Sequence, residues 1–141
     1  MTHNMKQFLI IPVIILSSVV AKAQSIQDAN KNTIAYITTN GELQDKDKKT
    51  VCTFRQDGKI VDTRANTVGY IVNEYELQDK ARKTIAYILR DGTVEDSNHK
   101  VIAHISTSGS GPITDNANKT IAYIDTIEPM WAAAYLFVLK N

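Results

Sequence analysis

The residues with the sharpest chemistry in this chain are two histidines, an aspartate and a cysteine. His99 and His104 lie five apart with Asp96 just upstream, a set that could hold a metal ion or supply an acid and a base. Odd spacing puts the two rings on opposite faces if both fall on one strand. His104 also stands where the surrounding pattern has tyrosine, which reads as a packed aromatic. Cys52 is the single cysteine, so it makes no internal disulfide, and no C-x-x-C or His/Cys zinc spacing accompanies it. Its position is otherwise filled by Ala35, Gly69, Ala86, Ala103 and Ala122. That marks a small buried hydrophobe, because a reactive thiol needs an electropositive, accessible setting. Gly109-Ser110-Gly111 lacks the Lys-Ser/Thr and helix of a phosphate loop. No catalytic residue, metal ligand or cofactor is assigned. The competing reading is a hydrolytic or metal-dependent enzyme centred on the two histidines.

Four tyrosines form the other candidate site. Tyr36, Tyr70, Tyr87 and Tyr123 share one position of a repeat, with His104 at the same position. If that face is open, the rings could stack on sugars or grip a protein partner over a large area at low entropy cost. If it is covered, they are core or rim packing. Repetition argues against catalysis, which needs different groups converging with different pKa values.

The elements that position these residues come from that repeat. Six copies start at residues 26, 43, 60, 77, 94 and 113. The spacing is seventeen until a longer loop at 106–112 makes it nineteen. Each copy begins near an aspartate (Asp28, Asp45, Asp62, Asp79, Asp96, Asp115) whose carboxylate can accept backbone N–H bonds two or three residues on. Each also has a second turn, marked by Asn40-Gly41, Asp57-Gly58 and Asp91-Gly92. Asn73-Glu74-Tyr75 and Gly109-Ser110-Gly111-Pro112 replace it elsewhere. Runs rich in Ile, Val, Thr and Tyr lie between the turns and read as strands. Alternation puts Thr33, Ala35 and Ile37 on one face and Ile34 with Tyr36 on the other. The fold class is all-β, with repeated antiparallel hairpins arranged radially in five or six petals. The small residues at the Ala35 position indicate strands crowding toward a common axis. A β-solenoid is the alternative.

The repeated Asp-x-x-x-Lys-Thr-Ile-Ala-Tyr-Ile with a following Asp-Gly turn resembles the five-fold beta-flower repeat proteins, a family of exported bacterial hairpin-repeat proteins. The resemblance covers residues 26 to 124. It implies petals around a pseudo-symmetry axis, and it implies no catalytic residues.

The ends read differently. Lys6, the apolar run Phe8 to Val20 and the small-x-small Ala21-Lys22-Ala23 make residues 1–23 a signal peptide, leaving Gln24 as the new N-terminus. Residues 24–127 form the hairpin-repeat domain. Residues 128–141 are an apolar segment that closes or plugs the ring, burying Trp131, Tyr135 and Phe137, or that drives self-association. Its ten apolar residues are too few to cross a bilayer. Signal removal takes away Lys6 and Lys22, so 14 basic residues face 15 acidic ones in the remaining 118. That balance gives no footprint for nucleic acid. The expected protein is an exported, periplasmic or secreted, non-catalytic binding or structural module without a transmembrane span, with a glycan or an envelope protein as candidate partner.

Overall fold

The computed structural model describes residues 24–140. Twelve strands form one meander: β1 (Ser25–Asp28), β2 (Thr33–Ile37), β3 (Glu42–Asp45), β4 (Thr50–Phe54), β5 (Lys59–Asp62), β6 (Thr67–Val72), β7 (Glu76–Asp79), β8 (Thr84–Ile88), β9 (Thr93–Asp96), β10 (Val101–Ile105), β11 (Gly111–Asp115) and β12 (Thr120–Asp125). Each pairs antiparallel with its neighbours, and β1 pairs with β12, so the sheet closes and no edge remains. The stacked coils of a solenoid are not what forms. The hairpins stand side by side around an axis with six aspartate turns at one rim and five turns at the other. The sixth place on the second rim is the junction of β12 with β1. Six copies with five glycine-side turns account for the ambiguous petal count.

The two kinds of turn share one geometry. At the aspartate rim the N–H of Lys31 donates to the Asp28 carbonyl and the N–H of Asp28 to the Asn32 carbonyl. At the other rim Gly41 and Thr38 repeat these bonds with Thr38 and Glu42. Both turns need a left-handed residue. Glycine supplies it at Gly92 (φ 91°), where a Cβ would fall 2.1 Å from the Ile105 carbonyl oxygen. The aspartate rim uses Lys31, Lys48, Ala65, Arg82, His99 and Asn118 at φ 64–67°. Asp Oδ1 holds that strained backbone by accepting N–H bonds from residues two and four along, as Asp79 does from Ala81 and Lys83 at 2.9 Å each. The second acceptance is one residue further than the sequence suggests.

A bulge beside each aspartate turn breaks the simple alternation. Ile26 opposes Ala35 and Gln27 opposes Thr33, so Ile34 is skipped, and all six copies do the same. The skipped residue therefore leaves the Tyr36 face. Ile34, Val68, Ile85, Ile102 and Ile121 pack on the core. Only Val51 departs, at 44% exposed.

Eight strands already enclose an interior that side chains can fill, so twelve leave room for more. The C-terminal segment takes that room. A short helix, α1 (Pro129–Ala134), continues as a π-helical turn over Tyr135–Leu139. It starts at the glycine-turn rim, where Trp131 stacks on Phe54 with ring centroids 5.3 Å apart. It ends toward the aspartate rim, where Lys140 interacts electrostatically with Asp28. Ala132, Ala133 and Ala134 are fully buried. Met130 and Leu136 are the large buried side chains of this segment, while Trp131, Tyr135 and Phe137, expected to be buried, are half-buried and pack against the core. Ala35, Cys52, Gly69, Ala86, Ala103 and Ala122 face this interior at 2% exposure or less for those with side chains. Ile26, Leu43, Ile60, Leu77, Val94 and Ile113 fill the level opposite them. No helix among the described residues is long and apolar enough to cross a membrane.

Candidate functional site

The tyrosines do not converge. Their strand position alternates with the buried small residues, so Tyr36, Tyr70, Tyr87, Tyr123 and His104 are spaced around the outer wall. The left-handed turn residue of the next hairpin covers most of them. Lys48 Nζ lies 5.0 Å from the Tyr36 ring centroid, Lys31 Nζ 4.9 Å from Tyr123 and the Arg82 guanidinium carbon 3.9 Å from Tyr70. His99 stacks on Tyr87 at 4.6 Å. The Lys31–Tyr123 contact spans the junction of the first and last hairpins, so the series continues around the closed ring. The side chains also match in size. Where the tyrosine position holds Thr53, the turn position of the next hairpin is Ala65, and where it holds His104 that position is Asn118. These rings act as outer-wall packing for the strained turns, each pair worth about 0.5–1 kcal/mol at an exposed site.

The histidine set does not assemble either. His99 sits in a turn rather than on a strand, with Nδ1 3.0 Å from Glu95 Oε1. His104 is exposed on β10. Asp96 Oδ1 already accepts the N–H groups of Asn98 and Lys100. Among the described residues no group of three His, Cys, Asp or Glu side chains is placed to hold a metal ion. Burial pushes the Cys52 thiol up to about 12, which suits an inert core residue. Backbone N–H bonds, from Asn32 for Asp28, Asn66 for Asp62 and Thr93 for Asp91, hold those carboxyls below the usual range. These shifts mark turn chemistry, since the same residue type does the same work in copy after copy.

The concave surface lies at the glycine-turn rim around the start of α1. A cleft of about 550 Å³ is lined by Asn73, Glu74, Tyr75, Ile88, Leu89, Arg90, Glu128, Pro129 and Met130. A second of about 420 Å³ shares Asn73, Glu74 and Glu128 and adds Trp131 with the Arg55–Asp57 ion pair. Two further hollows adjoin the same rim, one of about 480 Å³ at Thr39 to Gln56 and a smaller, more open one of about 220 Å³ at Thr107 to Pro129. This is also where the copies differ most. The β6–β7 turn has two consecutive left-handed residues, Asn73 (φ 53°) and Glu74 (φ 65°), without a glycine. Tyr75 and Leu89 are exposed large apolar side chains at its mouth. Glu74, Glu128 and Arg90 have no ion-pair partner among the described residues. Buried apolar walls with a few unpaired charges can hold a small ligand or a peptide side chain in a fixed orientation.

The sequence marks this place only as a turn where Asn73-Glu74-Tyr75 replaces the glycine pair. Its joining of residues 73–75, 88–90 and 128–131 requires ring closure and the returning helix. No curated protein and no solved structure matches the chain. The family described as "5-fold beta-flower protein" matches residues 23–140, a span that takes in all twelve strands and the axial helix. The chain belongs to the 5-fold beta-flower protein family.

Proposed function

We propose that the protein is an exported, non-catalytic binding module that presents the glycine-turn rim to a partner. The observation that carries this reading is the location of the clefts. The four clefts described above lie at one rim, around the element that breaks the repeat, while the helix occupies the interior of the ring. Irregular loops on a regular scaffold are the usual carriers of specificity. A protein segment suits the mixed apolar and charged lining better than a glycan does, because the tyrosine ring faces that would stack on sugars are already covered on the outer wall. Export rests on residues 1–23, which lie outside the described residues.

The test is a panel of immobilised glycans and peptides probed with the wild type, Tyr75→Ala and the outer-wall variant Tyr36→Ala. Capture abolished by Tyr75→Ala and retained by Tyr36→Ala supports the rim. The opposite pattern returns the site to the outer wall. Hydrolysis of any panel member that disappears in a His99→Ala/His104→Ala double variant would establish the enzyme reading instead.

A further inference from the structure

The near-neutral composition conceals a separation of charge between the two rims. The six aspartate-turn segments (28–33, 45–50, 62–67, 79–84, 96–101 and 115–120) hold ten Lys and Arg against seven Asp. Lys140, at the end of the axial segment, brings the cations there to eleven. The rest of the described chain has three cations, Arg55, Lys59 and Arg90, against eight carboxylates. One rim therefore carries a formal +4 and the remainder −5. The cations are densest in two turns, with Lys46, Lys48 and Lys49 in one and Lys80, Arg82 and Lys83 in the other. All eleven are exposed, and none lies within ion-pair distance of a carboxylate among the described residues; Lys31, Lys48 and Arg82 lie over tyrosine rings of the outer wall, and Lys140 interacts with Asp28. The aspartates between them are held on short side chains against the turn backbone. The lysines not laid over tyrosine rings, among them Lys46, Lys49, Lys80 and Lys83, carry their ammonium groups on flexible four-carbon stems that can reach past them.

We infer that the aspartate-turn rim docks on a flat anionic surface, namely a bilayer rich in anionic lipid, with the glycine-turn rim facing away from it. Six turns ending at one level of a closed ring present their cations across a broad face, where a planar array of phosphates can meet many of them together. A nucleic acid would be gripped differently, in a basic groove with aromatic platforms for the bases. Here the four clefts described above and the exposed Tyr75 lie at the opposite, acidic rim. The inference does not rest on what those clefts bind.

The experiment is sedimentation of the full-length protein with vesicles of phosphatidylcholine alone or with about 30% phosphatidylglycerol, at about 0.05 M and 0.5 M salt. Residues 1–23 are common to every variant, so differences between variants report the rim. The expected result is binding that requires phosphatidylglycerol and falls about tenfold or more at the higher salt. A Lys46→Gln/Lys49→Gln/Lys80→Gln/Lys83→Gln variant, which leaves the left-handed positions intact, should lose about tenfold in partition at low salt with an unchanged circular dichroism spectrum. Glu74→Gln, on the far rim, should leave partition unchanged. Equal binding to both vesicle types, or full binding by the folded quadruple variant, overturns the inference. So does a short DNA duplex that displaces the protein from vesicles at equal phosphate concentration, since that would favour a chain-like polyanion over a surface.

Discussion

Gly69 measures how full the ring is. Its backbone is outside the left-handed region, so glycine is not required there by φ. A Cβ at this position would meet the Gln78 carbonyl oxygen at 3.0 Å, Ile60 Cδ1 at 3.4 Å and Val138 Cγ1 of the axial segment at 3.7 Å. Gly69→Ala should gain about 0.4–1 kcal/mol from a stiffer unfolded chain and lose a similar amount against the carbonyl, leaving a small net change. Gly69→Leu adds three further carbons where these contacts leave no space. Overpacking of a full core costs about 1–3 kcal/mol, a large share of the roughly 5–15 kcal/mol expected for a domain. The midpoint of thermal unfolding should fall by about 4–12 °C, interpolating between smaller and larger domains. Unfolding followed by Trp131 fluorescence reads this directly, since Trp131 is the only tryptophan. If the clash is with the axial segment, Val138→Ala should partly rescue Gly69→Leu, with a coupling of about 0.5–3 kcal/mol between the two sites. A Gly69→Leu protein as stable as wild type would mean spare volume at the axis, and the filled-ring account would fail. Additive effects of the two substitutions would place the clash against the sheet alone.

Other outcomes follow from the same geometry. Cys52 should resist a thiol reagent at pH 8 in the folded protein and react once urea unfolds it, because its thiol is buried and pushed up to about 12; rapid native-state labelling would contradict the burial. Asp28, Asp62, Asp91 and Glu76 all titrate below their ordinary values, the last chiefly through the Thr84 hydroxyl. Their contribution is present above the unfolded carboxylate range and is lost as pH falls through the depressed folded values, so the urea midpoint should hold from pH 7 to pH 5 and drop below about pH 4. A midpoint that stays level down to pH 2 would remove these turn bonds from the stability account. Gly92→Ala should destabilise by about 1–3 kcal/mol, because it combines a left-handed backbone with a Cβ 2.1 Å from the Ile105 carbonyl oxygen; equilibrium denaturation within 0.5 kcal/mol of wild type, about the scatter of an ordinary surface change, would count against that turn.

Particular residues show how far the sequence could be read. The repeat of Ile, Ala and Tyr between two turn signals was sufficient for hairpins and for the small inward position, because both depend on spacing along one strand. Ile34 was assigned to the wrong face because a bulge adds a residue without any mark in the alternation. Spacing alone left open whether His99 and His104 share a strand; His99 is the left-handed corner of a turn and covers Tyr87. The rim clefts were not legible, since Glu74 and Glu128 are more than fifty residues apart and meet only when the helix returns to the axis. Charge separation was hidden for a related reason. Summing over the chain cancels it, although every copy sends its aspartate turn to the same end.

By itself the sequence determined local geometry: which short runs are strands, where the chain turns, and which side chain of each copy must be small. Those properties follow from sterics and hydrogen bonding within a few residues, and repetition made them visible several times over. Tertiary structure decided everything that depends on closure. It paired β1 with β12, threaded the last segment through the ring, turned the tyrosines outward beneath the next hairpin's turn residues, and gathered opposite charges at opposite rims. These relations join residues a whole chain apart, and their free energy comes from filling a shared interior that no single copy encloses.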